Sequence, residues 1–358
     1  MRIALQACVV AVVATSLIPQ RAQAFTIKTG FTESCHEQIS VEALGDFLDQ
    51  PLRSDIVLPS DDTWRKLSTN IEPFLGIDLT DEELFVAFSL FVGVRAPDTD
   101  GHSVTNLDAL RRIHANPVPE AQYRHTLRAL GDDGIEGNVA AVEGAREEIR
   151  KSFDKALDSL QRAPADQLGR APVVLDFYNR IQVDVWEPAF RLAEAMHTVQ
   201  DSFAHTIRSE ADDLKKIATV LNYVDAISTD FNAERDGLAH SDFADQCNQD
   251  DVTEIREAAR QATLDLLFAF RMANSGDDGA LESFLDDWVT LVPGCTPENE
   301  FCDNAGGLAI VEKEPTGPYL PEWLICSAHP DTGSPAVLWL TVALLLFSVR
   351  RRLRRAPA

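Results

Sequence analysis

Basic residues are scarce in this 358-residue chain: 32 Lys and Arg stand against 57 Asp and Glu, a formal net charge of -25. Seven of the arginines (Arg2, Arg21, Arg350, Arg351, Arg352, Arg354 and Arg355) lie at the two ends, so the body between them holds 25 bases against all 57 acids. A field of that sign repels nucleic-acid backbones and anionic lipid surfaces unless bound cations reverse it locally. Long apolar runs are missing too, since no stretch reaches the ~20 residues of a membrane span. With 45% hydrophobic and 25% charged residues, the composition excludes a polytopic membrane protein and a disordered chain alike. Aromatics make up only 8%, with no cluster beside the motifs below. No strand-like alternating run of any length occurs, and no repeat recurs. What remains is enough chain for one large domain or two ordinary ones.

Residues 1–24 have the form of a secretory signal peptide: Arg2, an apolar run over 3–18, Pro19, and a small-x-small site at Ala22, Gln23 and Ala24. Cleavage there makes Phe25 the first residue of an exported protein, in which disulfides persist. Cys8 leaves with the leader. Cys295 and Cys302 bracket a short loop and are expected to pair. Cys326 begins a different arrangement: a Gly/Pro spacer, an apolar run over 336–349, and the basic cluster from Arg350 to Arg355. Such a run is short for a permanent span. The arrangement resembles the cysteine-containing C-terminal sorting tails of myxobacterial surface proteins, with a plain transmembrane anchor as the alternative. The expected divisions are a leader 1–24, a helical body 25–292, a Pro/Gly/Cys-rich extension 293–330 and a hydrophobic-basic tail 331–358. The protein is then extracellular, or tethered at the cell surface or outer membrane through its tail.

Between the ends, apolar residues recur at three- and four-residue spacing over 40–48, 81–92, 138–160, 188–207, 211–227 and 251–273, which predicts an all-α bundle. Asp81 before a Glu-rich turn and Pro188 at a first helical position are start signals. Gly101 and the run from Gly131 to Gly134 mark loops. Chemistry concentrates in the eight histidines. His197, Asp201 and His205 follow one another at four-residue steps in the 188–207 segment. Each step turns about 400°, so the three stack on one helical face about 40° apart. An imidazole and a carboxylate one turn apart chelate one cation, and the second histidine serves another. One such pair alone would read as a surface salt bridge worth a few tenths of a kcal/mol. Three in line, with Met196, Val199, Phe203 and Ala204 apolar among them, point to a metal site.

The stretch from Ala195 to Thr206, together with His36 about a dozen residues after the cleavage site, resembles the zinc-dependent phospholipase C / P1 nuclease superfamily, in its Het-C-like branch, over roughly 25–245. The resemblance implies a multi-helix bundle around two or three Zn²⁺ ions. It implies that Phe25, where the family usually has tryptophan, ligates through its amino group and carbonyl, with His36 beside it. The run from Gly93 to Asp100 resembles a family loop ending in Pro-Asp. Asp98 is then a ligand that also positions or deprotonates the attacking water. A histidine should follow, and His125 fills that place, with His114 and His102 as alternatives. His197, a bridging Asp201 and His205 come next. The last pair is His240 with Asp245, or with Asp242, because Ala244 stands at the usual four-residue spacing. Cys35 and Cys247, each near one of these histidines, are expected to be bridged. The implied activity is hydrolysis of a phospholipid or other phosphodiester by metal-activated water, the cations reversing the acidic field locally. A P1-type single-strand nuclease and a non-catalytic surface protein that retains the fold are the alternatives. No obligate protein partner is evident.

Overall fold

The computed structural model describes residues 35–47, 56–69, 79–103, 106–162, 169–176, 180–223, 232–240 and 250–311. The leader, Phe25, Asp242, Asp245, Cys247 and everything from residue 312 onward, Cys326 and the 336–349 run included, lie outside them. All the described residues belong to the unit Ala22–Pro315. They are mostly helical, as the apolar spacing predicts: α1 (Cys35–Phe47), α2 (Asp81–Thr99), α3 (Leu107–His114), α4 (Gly134–Arg162), α5 (Glu187–Ala204), α6 (Thr253–Asn274) and α7 (Ala280–Trp288). Helix α5 is central. It packs against α2, α4 and α6, while α1 lies on α2 and α6. Every residue of α5 from Ala195 to Ala204 is buried, so its His197–Asp201 stripe faces the interior.

Helix α2 starts with a reciprocal cap: the Thr80 hydroxyl accepts from the Glu83 amide, and the Glu83 carboxylate accepts from the Thr80 amide at 2.8 Å. The sequence expectation ended this helix at residue 92 and gave Gly93 to Asp100 to a loop. Instead the helix runs through Pro97 to Thr99 and carries Asp98 on its last turn. Packing explains the difference. A Cβ on Gly93 would lie 2.3 Å from the Phe190 carbonyl oxygen and 2.8 Å from the Ala193 Cβ. The glycine thus lets α2 and α5 meet backbone to backbone rather than breaking the helix. Termination comes only at Asp100 and Gly101, with φ of 45° and 73°. Gly93→Ala is expected to cost about 1–3 kcal/mol through overpacking, read as a lower urea midpoint. An unchanged midpoint would mean that the two helices have slack there.

The expected absence of strands does not hold. β1 (Arg170–Asp176) and β2 (Arg180–Trp186) form an antiparallel hairpin in the register Arg170↔Trp186. A second hairpin joins β3 (Thr206–Arg208) to β4 (Ile217–Val220). It stands where the described part, 211–223, of the helix expected over 211–227 would lie, and α5 ends at Ala204 instead of residue 207. Thr206, Ile207, Ile217, Thr219 and Val220 are β-branched and buried, a combination that suits a packed strand better than a helix. Arg208 fixes the chain as it leaves α5. Its guanidinium donates to the carbonyls of Ser202, Lys215 and Trp288 at 3.2, 2.8 and 2.8 Å and lies over the Phe203 ring.

The expected Cys295–Cys302 disulfide is present, and Cys295 and Phe301 pack on Ile207 and Ala218. Cys35 is also disulfide-bonded; Cys247, the partner expected for it, lies outside the described residues. Among the described residues no helix is long and apolar enough to cross a membrane.

Candidate metal centre

Four helices and the turn after a short fifth one deliver imidazoles and carboxylates to one buried place. His36 is the second residue of α1, not the residue before a helix beginning at 40, and Asp98 ends α2. His114 closes α3, and His125 follows the short helix Pro119–Tyr123. His197 and Asp201 stand one turn apart on α5. His36, Asp98, His197 and Asp201 have no solvent exposure, and His125 has 2%.

Asp201 is the hub. Its Oδ1 lies 3.1 Å from His36 Nε2, and its Oδ2 lies 2.8 Å from His125 Nδ1 and 2.9 Å from His197 Nε2. Asp98 is held differently. Its Oδ1 stands 3.6 Å from His197 Nε2 and 3.8 Å from both His125 Nδ1 and His114 Nε2, and its Oδ2 stands 4.0 Å from His36 Nε2. These separations are too long for hydrogen bonds, and neither Asp98 oxygen accepts one; nor does Asp201 Oδ1. A carboxylate stripped of water and left without donors costs several kcal/mol. Two ligands of one zinc at 2.0–2.1 Å in tetrahedral array lie roughly 3.4 Å apart, close to the Asp98 spacings. Three overlapping sets have ligand atoms within 4.8 Å of one another: His36, Asp98 and His197; Asp98, His114 and His125; His125, His197 and Asp201. This His/Asp cluster fits a metal ion.

Outer contacts aim the rings. His197 Nδ1 is 2.9 Å from the Val94 carbonyl, which turns Nε2 toward both aspartates. Gln122 donates to the carbonyls of His114 and Asn116 at 2.9 and 2.7 Å, folding the 114–122 segment so that both histidines face Asp98. The sequence posed His114 and His125 as rivals; the fold brings in both. His102 stands outside all three sets. So does His205, which caps α5 rather than continuing it. Its Nδ1 bonds to the His125 carbonyl and its ring lies 5.0 Å from that of His240, which in turn meets Tyr223 at 5.1 Å. His205 and His240 are therefore neighbours, outside the three sets although His205 touches the His125 backbone. Of the functional residues, sequence reasoning missed Gln200, whose only signal was a polar residue in an otherwise apolar stretch, and the Arg95–Glu37 ion pair at 2.6 Å.

Burial sets the proton affinities. It pushes His114 down to about 3 and His125 and His197 down to about 4, so these rings are neutral near pH 7, the form that binds cations. Burial opposes the charge on His36 as well, but the Asp201 carboxylate 3.1 Å away, with the charge of Asp98, outweighs it and lifts that ring to about 9. Asp98 is raised by burial, whereas Asp201, which burial would also raise, is held well below the carboxylate range by His197, His205 and its hydrogen bonds.

A pH dependence follows for the metal-free chain. His114, His125 and His197 bind protons more weakly folded than unfolded, so their contribution is complete above about 6.5 and is lost as pH falls toward 4, at roughly 1 kcal/mol per pH unit each. Asp98, raised in the fold, acts in the opposite sense, and His36 is protonated in both states below 6.5. Three groups against one predict a urea midpoint that drops steeply between pH 6.5 and 4 after chelation. A flat profile would contradict this.

No protein-family model matches the chain, and neither does any curated protein or solved structure, so this cluster carries the functional reading alone.

Proposed function

We propose that the chain is an exported zinc-dependent phosphodiester hydrolase of the phospholipase C kind, acting on a phospholipid or another phosphodiester. The observation that carries the reading is the pair of buried aspartates, Asp98 and Asp201, three of whose four oxygens accept no hydrogen bond while four imidazoles surround them. Zinc bound there supplies Lewis acidity and lowers the pKa of water toward 7. Imidazole and carboxylate donors suit zinc, though also manganese and iron. Asp201 presents one oxygen to His36 and the other to His125 and His197, so it would hold bound metal from both sides. Asp98 is the residue set to orient the attacking water and take its proton. His197 and His125 stay fixed in direction through the reaction, because the Val94 carbonyl and the turn after Tyr123 hold them.

A cavity of about 350 Å³ lies beside the same segments: Thr99, Arg124 and Glu194, among its lining residues, stand one to three positions from Asp98, His125 and His197. Its one aromatic lining residue among those described, Phe190, is covered by the Arg191 guanidinium at 5.2 Å. That arrangement favours a polar phosphodiester over a stacked base, and so the phospholipase reading over the nuclease. Purified protein beginning at Phe25 should retain two or three zinc ions per chain by elemental analysis. It should hydrolyse bis(p-nitrophenyl) phosphate and phosphatidylcholine vesicles, lose that activity to a chelator and regain it with zinc. Protein that retains no metal, or turnover that persists after chelation, defeats the proposal.

A further inference from the structure

We infer that Gln200 is a positioning residue that selects which nitrogen of His36 faces the metal cluster; the inference rests on the metal-centre reading above. Consecutive residues of α5 grip the two nitrogens of one imidazole. Gln200 Oε1 lies 2.7 Å from His36 Nδ1, and Asp201 Oδ1 lies 3.1 Å from His36 Nε2. The His197 ring stacks on His36 at 4.2 Å and blocks rotation on that face.

The direction of the amide follows from its other end. Gln200 Nε2 lies 2.9 Å from Ser40 Oγ and 3.2 Å from Thr263 Oγ1. The Thr263 hydroxyl already donates its proton to the Ala259 carbonyl at 2.8 Å, so toward Gln200 it offers a lone pair and must accept. The NH₂ group of Gln200 therefore points to Thr263 and its oxygen to His36. An oxygen can only accept, so His36 keeps a hydrogen on Nδ1, and Nε2 is the nitrogen that would give up its proton to a cation in the cluster. Gln200, His36 and Thr263 are wholly buried and Ser40 nearly so. Reversing the amide would set its oxygen against the Thr263 lone pair and its NH₂ group against the His36 Nδ1–H, at a cost of about 1–3 kcal/mol for each buried group left unsatisfied. One amide thus ties α1, α5 and α6 together behind the metal centre.

The test compares full-length Gln200→Leu and Gln200→Glu with the unaltered chain, reading zinc affinity by chelator competition and the visible spectrum of the cobalt-substituted protein. Gln200→Leu should weaken the His36 site about 10–100-fold and shift the cobalt bands. Gln200→Glu, whose carboxylate also accepts from Nδ1–H, should stay within about threefold. Thr263→Val frees the amide without touching His36 and should weaken binding in the same direction, which keeps the question open to measurement if Gln200→Leu fails to fold. Unaltered affinity and spectrum in Gln200→Leu or, should that variant not fold, in Thr263→Val would overturn the inference, as would a Gln200→Glu loss equal to that of the leucine variant. If the unaltered chain binds no zinc, the metal-centre reading falls and takes this one with it; if it binds and the variants bind alike, only this one falls.

Discussion

Asp201→Asn is expected to remove bound zinc and phosphodiester hydrolysis together while leaving the fold in place. The substitution keeps the shape of the side chain, and an amide oxygen still accepts from a protonated ring nitrogen, so the surroundings of α5 need not repack. What disappears is the negative charge that two oxygens share among His36 Nε2, His125 Nδ1 and His197 Nε2, all within 3.1 Å. An outer partner of a ligand is worth about 10–100-fold in metal affinity. A ligand reaching toward two ions should be worth more, so the loss should exceed roughly 100-fold. Elemental analysis of the purified variant and a bis(p-nitrophenyl) phosphate assay at saturating zinc provide the two readings. Turnover at the unaltered rate would remove Asp201 from the hub. Zinc lost with the helical circular-dichroism signal intact is the expected outcome.

The part of this site that the sequence made legible is the part set by local geometry. His197 and Asp201 are one turn apart, and four-residue spacing places them on one face wherever the helix goes. His36 and Asp98 came from resemblance, and even then their settings were misjudged. Both sit inside helices, because α1 begins five residues earlier than its apolar spacing suggests and because Gly93 serves helix contact instead of helix termination. The convergence of His114 and His125 was not legible. It depends on Gln122 folding the intervening chain back on itself, a side-chain contact that leaves no periodic trace. His205 leaves the helical stripe for a related reason. Its four-residue spacing counts only while the helix lasts, and β-branched residues pairing as β3 and β4 end it at Ala204, sending the ring toward His240. Long amphipathic helices such as α4 and α6 are legible because burial of one face is a property of the segment itself. Short strands are not, since their pattern is too brief to rise above helical spacing.

Arg95→Met is expected to destabilise the chain by about 3–5 kcal/mol, the largest loss foreseen for a residue that is not a ligand. Arg95 Nη1 lies 2.6 Å from Glu37 Oε1, with the carboxylate fully buried and the guanidinium 8% exposed. The two residues are neighbours of ligands: Glu37 follows His36 on α1, and Arg95 precedes Asp98 by about one turn of α2. Their pair therefore clamps together the two helices that approach the cluster from its N-terminal side. Removing the guanidinium leaves a desolvated carboxylate facing an apolar side chain, and the cost of that burial, not the lost attraction alone, makes the effect large. The double variant Glu37→Leu with Arg95→Met removes the charge as well as its partner and should recover much of the stability, since well-packed apolar pairs often equal buried ion pairs. Urea unfolding of the metal-free protein separates the two. Equal loss in the single and double variants would assign the effect to packing of the long arginine stem. Recovery of stability in the double variant, without recovery of zinc affinity, would show that the ion pair serves the register of α1 on α2, and through it the distance between His36 and Asp98, more than the stability of the fold.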